Sequence, residues 1–200
     1  MEKKELEFPN FARLVIDAIE EIDIEYLIGG AVAVWAWGDL RTTSDLDVVI
    51  NLPGDRIIPL SKELKKRDML VPPDIIIDLL IQPEGDLPVN AIHLYTGHKA
   101  ELFLLREGDA YRKVALSRRQ RVDLGPPLGN VYVHSPEDLI LNKVLYFGLS
   151  AQTKHIRDIG SIFINSSDKL DLDYINQWAI RLGISHVWHE VSQEIEHIEY

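Results

Sequence analysis

Residues 27–50 read LIGGAVAVWAWGDLRTTSDLDVVI, and the order of features in this stretch decides the fold. An apolar run at 26–28 stops at Gly29–Gly30, which predicts a short buried strand that ends in a turn. Residues 31–37 are apolar on every side and rich in alanine and tryptophan, so we expect a short buried helix there. A second strand is expected over about 45–51, where two aspartates lead into an apolar run.

The chemistry of this stretch lies in its glycines and its aspartates. A Gly-Gly turn that opens a helix lets a ligand approach the backbone and leaves amide groups free at the helix N-terminus, which is typical of phosphate sites. Asp45 and Asp47 are two residues apart on one strand, so they lie on the same face. Adjacent carboxylates repel each other unless a cation lies between them, and the pair therefore indicates a Mg²⁺ site. Taken alone, each motif has a plainer alternative, an ordinary turn and a solvated strand end.

The rest of the chain divides near residue 133 into a mixed part and a helical part. Before that point, periodicity and turn residues predict helices over about 10–22, 55–68 and 109–117, a short helix after Pro72–Pro73, strands at 91–97 and 99–107, and a hairpin around 125–130. After it, Ser135 is expected to cap a helix, and further helical patterns cover 153–166, 171–182 and 185–198. The fold class is therefore α/β, or α+β: a core over 1–133 with a mixed sheet flanked by helices, and a C-terminal helical part over 134–200 packed on it.

Composition limits the classes of protein that this chain can belong to. The 200 residues are 46% hydrophobic and contain no cysteine, which excludes a disordered chain and a disulfide-stapled miniprotein. The net charge of −11 argues against extensive binding of duplex DNA. Residues 99–121 reverse that sign, with seven basic and three acidic side chains, and suit either a small polyanion or a solvated, salt-bridged face. The sequence predicts neither a signal peptide nor a membrane span, so the expected location is the cytoplasm.

These motifs resemble the polymerase-beta-type nucleotidyltransferase superfamily, and especially its small bacterial and archaeal members in abortive-infection and toxin–antitoxin systems. The pattern of that family is an apolar strand, Gly-Gly or Gly-Ser, a helix, and Asp-x-Asp on the next strand. It is present here as LIGG at 27–30 and DLDVVI at 45–50. Members of this branch often place Arg-x-Thr/Ser before the carboxylates, and Arg41 and Thr43 supply it. The resemblance implies an NTP substrate bound by Gly29 and Gly30, with Arg41 and Thr43 beside them.

The resemblance also implies a third carboxylate on a later strand. The best match is Glu101 in KAELFLL, where the family usually has an aspartate. Asp45, Asp47 and Glu101 would then be both the catalytic residues and the ligands of Mg²⁺, or of Mn²⁺ in its place, with Asp47 or Glu101 helping to deprotonate the acceptor. The alternative for Glu101 is an edge-strand acid that faces water.

Two later helices match the family at basic positions. Lys143 lies on the apolar stripe of its helix, where it can bury its stem and direct its ammonium into a cleft. Family members have a lysine there that faces the triphosphate, and the alternative is a side chain that extends to bulk solvent. In KHIRDI, Lys154, Arg157 and Asp158 match a run that is frequent in this branch and would support the site. An ordinary salt-bridged helix face is the alternative for these three.

Three functions are therefore compatible with the sequence. The first is an Mg²⁺-dependent nucleotidyltransferase that moves NMP from an NTP to a hydroxyl on a protein, an RNA end or a small molecule. The second is a catalytically inactive, antitoxin-like protein of the same fold that binds a nucleotide or a cognate toxin. The third is a DxD glycosyltransferase, although that class does not require a Gly-Gly turn before its carboxylates and 200 residues is short for it.

Overall fold

The computed structural model describes residues 6–82 and 86–198, with side chains to residue 195. Within these residues the strands are β1 (Glu25–Ile28), β2 (Asp45–Asn51), β3 (Val89–Ile92), β4 (Lys99–Leu104), β5 (Gln120–Asp123) and β6 (Asn130–Val133). The α-helices are α1 (Phe8–Glu20), α2 (Gly30–Trp37), α3 (Ile57–Lys66), α4 (Pro73–Ile81), α5 (Ala110–Ser117), α6 (Pro136–Ser150), α7 (Lys154–Ser166), α8 (Leu172–Arg181) and α9 (Ser185–Ile198). Short 3₁₀ turns lie at Gly54–Arg56 and Ser167–Lys169.

The strands form one mixed sheet in the order β3-β4-β2-β1-β6-β5. The central strands β4 and β2 run parallel, as do β1 and β6, whereas β1 and β2 are antiparallel. In the β2–β4 ladder, Asp45 is paired with Lys99 and Asp47 with Glu101. The expected mixed sheet flanked by helices is confirmed, and its register places the second aspartate directly beside the glutamate.

Apolar side chains of the sheet and of most helices share one large core, and a second, smaller cluster contains Leu27, Val49, Ala115 and Leu116. Alternate residues of β2, among them Leu46 and Ile50, are fully buried, which is the period expected of a strand. Residues of the C-terminal helices, including Ile140 of α6 and Ile159 of α7, belong to the large core. The division of the chain at residue 133 stays a prediction.

Most of the expected elements are confirmed, and the deviations have local causes. The ambiguous region after Pro72–Pro73 forms helix α4, because proline at the first helical position presets the backbone angle. The helix expected over 55–68 begins instead as a 3₁₀ turn and ends at Lys66, since Asp68 adopts a left-handed conformation with φ of 59°. No helix in the described part of the chain has the length and apolarity needed to cross a bilayer.

Candidate active site

A cavity of about 740 Å³ opens where the Gly-Gly turn, the start of β2 and the middle of β4 meet helices α6 and α7. It brings together most of the side chains that the sequence predicted for a nucleotide site. Its lining includes Gly29, Gly30, Arg41, Thr43, Asp45, Asp47, Glu101, Lys143 and Lys154. Arg157 is exposed and lies outside this lining, and Asp158 lies behind it, in contact with Arg41 and Lys143.

The Gly-Gly turn is fitted closely around Asp47. The Gly29 amide donates a hydrogen bond to the Asp47 carbonyl at 2.8 Å, and Gly30 adopts a positive φ of 58° at the first position of α2. A Cβ atom at residue 30 would lie 1.7 Å from Asp47 Oδ2. Any side chain there would therefore collide with the carboxylate as well as strain the backbone. The Asp47 side chain therefore requires glycine at residue 30, whether or not a ligand binds there.

Negative charge is concentrated at Asp47. Burial raises the pKa of its carboxyl to about 6, and the charges of Glu101 and Asp45 raise it too, while Lys143 opposes them. A carboxyl with this environment lacks a full counter-charge within the protein. Such a group is well placed to bind a cation or to accept a proton near neutral pH.

Lys99 is the nearest cation to the other two carboxylates. Its ammonium donates a hydrogen bond to Glu101 Oε1 at 2.6 Å and lies 3.5 Å from Asp45 Oδ1. Among the described residues, no three His, Cys, Asp or Glu side chains are grouped so as to hold a metal ion. In this conformation, Asp45 and Glu101 are ion-paired with a lysine whose only signal in the sequence is its place in the basic stretch 99–121.

Arg41, Lys143 and Asp158 form an ion cluster at the wall of the cavity, in which Lys143 and Asp158 are buried and Arg41 is partly exposed. Arg41 donates two hydrogen bonds to the Asp158 carboxylate at 2.8 and 3.0 Å, and Lys143 donates one at 2.7 Å. Burial lowers the pKa of Lys143, and Asp158 and Asp47 counteract this effect. Since the Lys143 side chain is only 5% exposed, the alternative in which it extends to bulk solvent is wrong. Asp158 holds two cations in place rather than forming an ordinary surface ion pair.

Thr43 and Lys154 have simpler positions. The Thr43 hydroxyl donates to the Asp45 carbonyl at 3.1 Å and accepts a hydrogen bond from the Asp45 amide at 3.3 Å, which fixes the backbone where β2 begins. Lys154 is exposed at the start of α7 and lines the cavity. Both side chains line the cavity and can contact a ligand, and neither belongs to the ion cluster of Arg41, Lys143 and Asp158.

Among the basic side chains of residues 99–121, Arg112 lines the cavity. It pairs with Asp86 and stands over the Phe103 ring at 5.3 Å. Arg118 pairs with Glu137 and Arg119 pairs with Glu25, and neither arginine belongs to the cavity lining. For these two arginines, the salt-bridged alternative describes the structure better than a polyanion site.

Two histidines and a tyrosine also line the cavity, although no sequence motif indicated them. His134 follows β6 and is buried with its ring against Gly29, and its Nδ1 atom has no hydrogen-bond partner. Burial lowers its pKa to about 3, with Arg112 and Lys143 adding to the shift, so the ring is neutral. His155 stacks on Tyr146 with ring centroids 6.3 Å apart, and burial lowers its pKa to about 4. The parallel pairing of β6 with β1, which brings His134 to Gly29, is not visible in the sequence.

Comparison with solved structures identifies the fold. The solution structure of the antibiotic-resistance factor ANT(2'')-Ia is 15% identical over 96% of this chain and 96% of its own, with a TM-score of 0.56. A crystal structure of ANT(2'')-Ia in complex with adenylyl-2''-tobramycin is 17% identical over 84% and 92%, with a TM-score of 0.57. An antigenic nucleotidyltransferase-like protein from Paracoccidioides brasiliensis is 21% identical over 80% and 76%, with a TM-score of 0.54.

These similarities define the chain as having a nucleotidyltransferase fold, as the resemblance of its motifs implied. At such low identity the comparison concerns the fold alone. No protein-family model matches the sequence. Comparison with curated proteins likewise gives no match.

Proposed function

We propose that this protein is a nucleotidyltransferase that moves NMP from an NTP to a hydroxyl acceptor. The observation that carries the proposal is the β2–β4 register, which places Asp47 beside Glu101, with Asp45 on the same face, in a cavity bounded by the Gly-Gly turn. A nucleotidyltransferase fold supports the same reaction class. In that reaction the acceptor oxygen attacks the α-phosphorus, the bond to pyrophosphate breaks, and the hydroxyl proton is taken up by a base.

The donor set fits a hard divalent cation. Asp45, Asp47 and Glu101 offer only carboxylate oxygens, which Mg²⁺ and Mn²⁺ accept, and Asp47 lacks a full counter-charge. These three residues would hold Mg²⁺, or Mn²⁺ in its place. When bound, the metal would neutralise phosphate charge and favour deprotonation of the acceptor hydroxyl.

The chain's own residues would divide the remaining work. The backbone amides in the first turn of α2, which begins at Gly30, would bind phosphate oxygens, since the Gly29 amide already donates to the Asp47 carbonyl. Lys143 and Arg41, both fixed by Asp158, would present positive charge along the cavity wall. Asp47 or Glu101 would help to deprotonate the acceptor hydroxyl, since both carboxylates line the cavity in which the acceptor would bind.

The acceptor is a hydroxyl on a protein, an RNA end or a small molecule, and an aminoglycoside belongs among the small molecules to test. One structure that shares the fold contains adenylyl-2''-tobramycin, a nucleotidylated antibiotic. The toxin–antitoxin interpretation adds a cognate toxin or antitoxin as a protein partner. It rests on the Arg41-x-Thr43 and KHIRDI motifs.

A screen of the four NTPs, labelled at the α-phosphate, tests the reaction directly. Wild type and Asp47→Asn would be incubated with Mg²⁺ or Mn²⁺ and with tobramycin, total tRNA or cell protein. Label transferred by wild type and not by Asp47→Asn would support the proposal. Transfer at the same rate by both proteins would contradict the role of the carboxylate site.

A catalytically inactive nucleotide-binding protein is the second candidate function. Two observations favour it: the third carboxylate is a glutamate, and Lys99 already pairs with that glutamate and with Asp45. Saturable NTP binding that stabilises the protein against heat, without label transfer to any acceptor class, would favour this function over the enzyme.

A further inference from the structure

The Lys99 side chain lies among the carboxylates that the proposed metal would need. Lys99 and Glu101 are two residues apart on β4 and therefore share a face. The parallel register then places Lys99 opposite Asp45 on β2. As a result one ammonium group contacts two acidic side chains, at 2.6 Å from Glu101 Oε1 and 3.5 Å from Asp45 Oδ1.

This arrangement differs from a surface ion pair in its position. The carboxylate partners of Lys99, namely Asp45 and Glu101, line the same cavity as Asp47, which remains without a full counter-charge. A divalent cation that used Glu101 and Asp45 would have to share their oxygens with the ammonium or expel it. Sharing is opposed by repulsion between the two cations at short range.

The Lys99 ammonium can leave the carboxylates by rotation of its own side chain. The Lys99 side chain is 32% exposed, and its flexible four-carbon stem allows the ammonium to turn into solvent, where it is well hydrated. Glu101 would be left free to turn toward Asp47, its partner in the ladder. The lysine thus supplies a positive charge that is removable, unlike the buried Lys143.

We propose that Lys99 is a built-in counter-ion that a divalent cation must displace, so that it sets the metal affinity of the carboxylate site. This inference rests on the proposed function, since it concerns the same three carboxylates. It predicts that the site binds metal more weakly than its three acidic residues would alone. In the metal-free protein, Lys99 stabilises the cluster by partly neutralising it.

Binding of Mn²⁺ alone, measured from the EPR signal of the free ion, is the direct test. We expect Lys99→Met to bind Mn²⁺ about tenfold more tightly than wild type, which corresponds to about 1.4 kcal/mol. Lys99→Gln, which keeps a polar side chain, should behave in the same way if Lys99→Met folds poorly. Lys99→Arg, which keeps the charge, should remain within a fewfold of wild type.

Lys113→Met is the matched control, because it removes one positive charge from an exposed position on α5, where the lysine contacts the Glu107 carbonyl. Its Mn²⁺ affinity should be that of wild type. Thermal unfolding gives a second readout: without metal, Lys99→Met should melt below wild type, and saturating Mn²⁺ should raise its Tm by more.

The outcomes separate this inference from the proposed function. If Lys99→Met and Lys99→Gln bind Mn²⁺ with unchanged or weaker affinity, while Asp47→Asn loses binding, the metal site stands and the role of Lys99 is overturned. Weaker binding in these variants would mean that the ammonium helps to organise the site. If Asp47→Asn binds Mn²⁺ as wild type does, or no protein binds it, the metal site itself is wrong and the inference falls with it. Label transfer from NTP, measured separately, tests the enzyme.

Discussion

Two clusters of acidic side chains in this protein have opposite character: a strand cluster of Asp45, Asp47 and Glu101, and a helix cluster of Glu137 and Asp138. Asp45 and Asp47 begin a strand, and Glu137 and Asp138 begin helix α6. Asp138 is fully buried, and its carboxylate accepts hydrogen bonds from Ser135 Oγ at 2.7 Å, from the Tyr174 hydroxyl at 2.7 Å and from Arg118 Nε at 3.2 Å. The helix cluster has a partner for each carboxylate oxygen.

The strand cluster is incompletely satisfied. Asp45 is half exposed and contacts Lys99, while Asp47 has a raised pKa because it is buried near other carboxylates. A protein that can satisfy Asp138 fully could do the same for Asp47 if stability were the only constraint. The comparison therefore distinguishes a structural network from a site that a ligand is expected to complete.

The substitution that should distinguish the two clusters most clearly is Asp47→Asn. Transfer from an NTP should fall by about 10²–10³-fold, which corresponds to about 3–4 kcal/mol of transition-state stabilisation. The free energy of unfolding of the metal-free protein should stay the same or rise, because a buried charge without a full counter-ion is removed. Single-turnover transfer and urea denaturation measure the two effects, with exposed Asp55→Asn as the control. A large loss of stability in Asp47→Asn would mean that Asp47 has a structural role like that of Asp138.

Asp138→Asn should have the opposite effects, lowering stability while leaving ligand affinity unchanged. Loss of the charge leaves Arg118 with fewer partners beside a buried amide, so we expect the free energy of unfolding to fall by about 3 kcal/mol. Metal and nucleotide affinity should be retained by the fraction that remains folded. Urea denaturation of Asp138→Asn and of Glu190→Ala, an exposed acid on α9, measures the difference. Equal stability of the two variants would contradict the structural role of the network.

The sequence predicted the strand cluster better than the helix cluster, for a physical reason. Gly29–Gly30 and the Asp-x-Asp pair are local signals, since turn conformation and strand period depend on neighbouring residues. Ser135 likewise predicted the start of α6. What the acids of α6 contact depends on Arg118 and Tyr174, which are distant in sequence. The sequence pattern therefore gave no indication that Asp138 is buried.

The same limit explains Lys99 and His134. Both positions follow from strand order: Lys99 meets Asp45 because β4 lies parallel to β2, and His134 meets Gly29 because β6 lies beside β1. Asp158 lay on a correctly predicted helix, but its partner Arg41 is 117 residues away. The individual candidates were visible in the sequence, whereas the pairing that gives each one its charge environment was not.

Glu101 offers a finer test of the strand cluster. Glu101→Gln should lower turnover by about 10²-fold, about 2.7 kcal/mol, and lower NTP affinity much less, because two aspartates remain to hold the metal on the triphosphate. Glu101→Asp should retain activity or raise it, since the resembling enzymes use aspartate and the shorter acid is less able to reach Lys99. Comparison of single-turnover rates with NTP dissociation constants separates the two effects. Equal rates for wild type and Glu101→Gln would make Glu101 a bystander and favour the nucleotide-binding function.

The smallest effect that we expect concerns His134, a buried group that shares the wall of the strand cluster and, like Asp47, lacks full satisfaction. Its pKa is lowered from 6.5 to about 3 by burial, with Arg112 and Lys143 adding to the shift. As the pH falls below 6.5, the unfolded chain binds a proton that the folded chain refuses, so stability declines between about pH 6.5 and about pH 3, and above pH 6.5 the group has no effect. At pH 5 this difference alone lowers the free energy of unfolding by about 2 kcal/mol relative to pH 7.

His134→Gln removes the titrating ring, so its stability should fall by correspondingly less between pH 7 and pH 5, whatever its stability at pH 7. Exposed His186→Gln should keep the decline of wild type. If urea denaturation at the two pH values gives the same decline for His134→Gln as for wild type, the ring is not held neutral in the folded protein, and the wall beside Gly29 carries a positive charge instead.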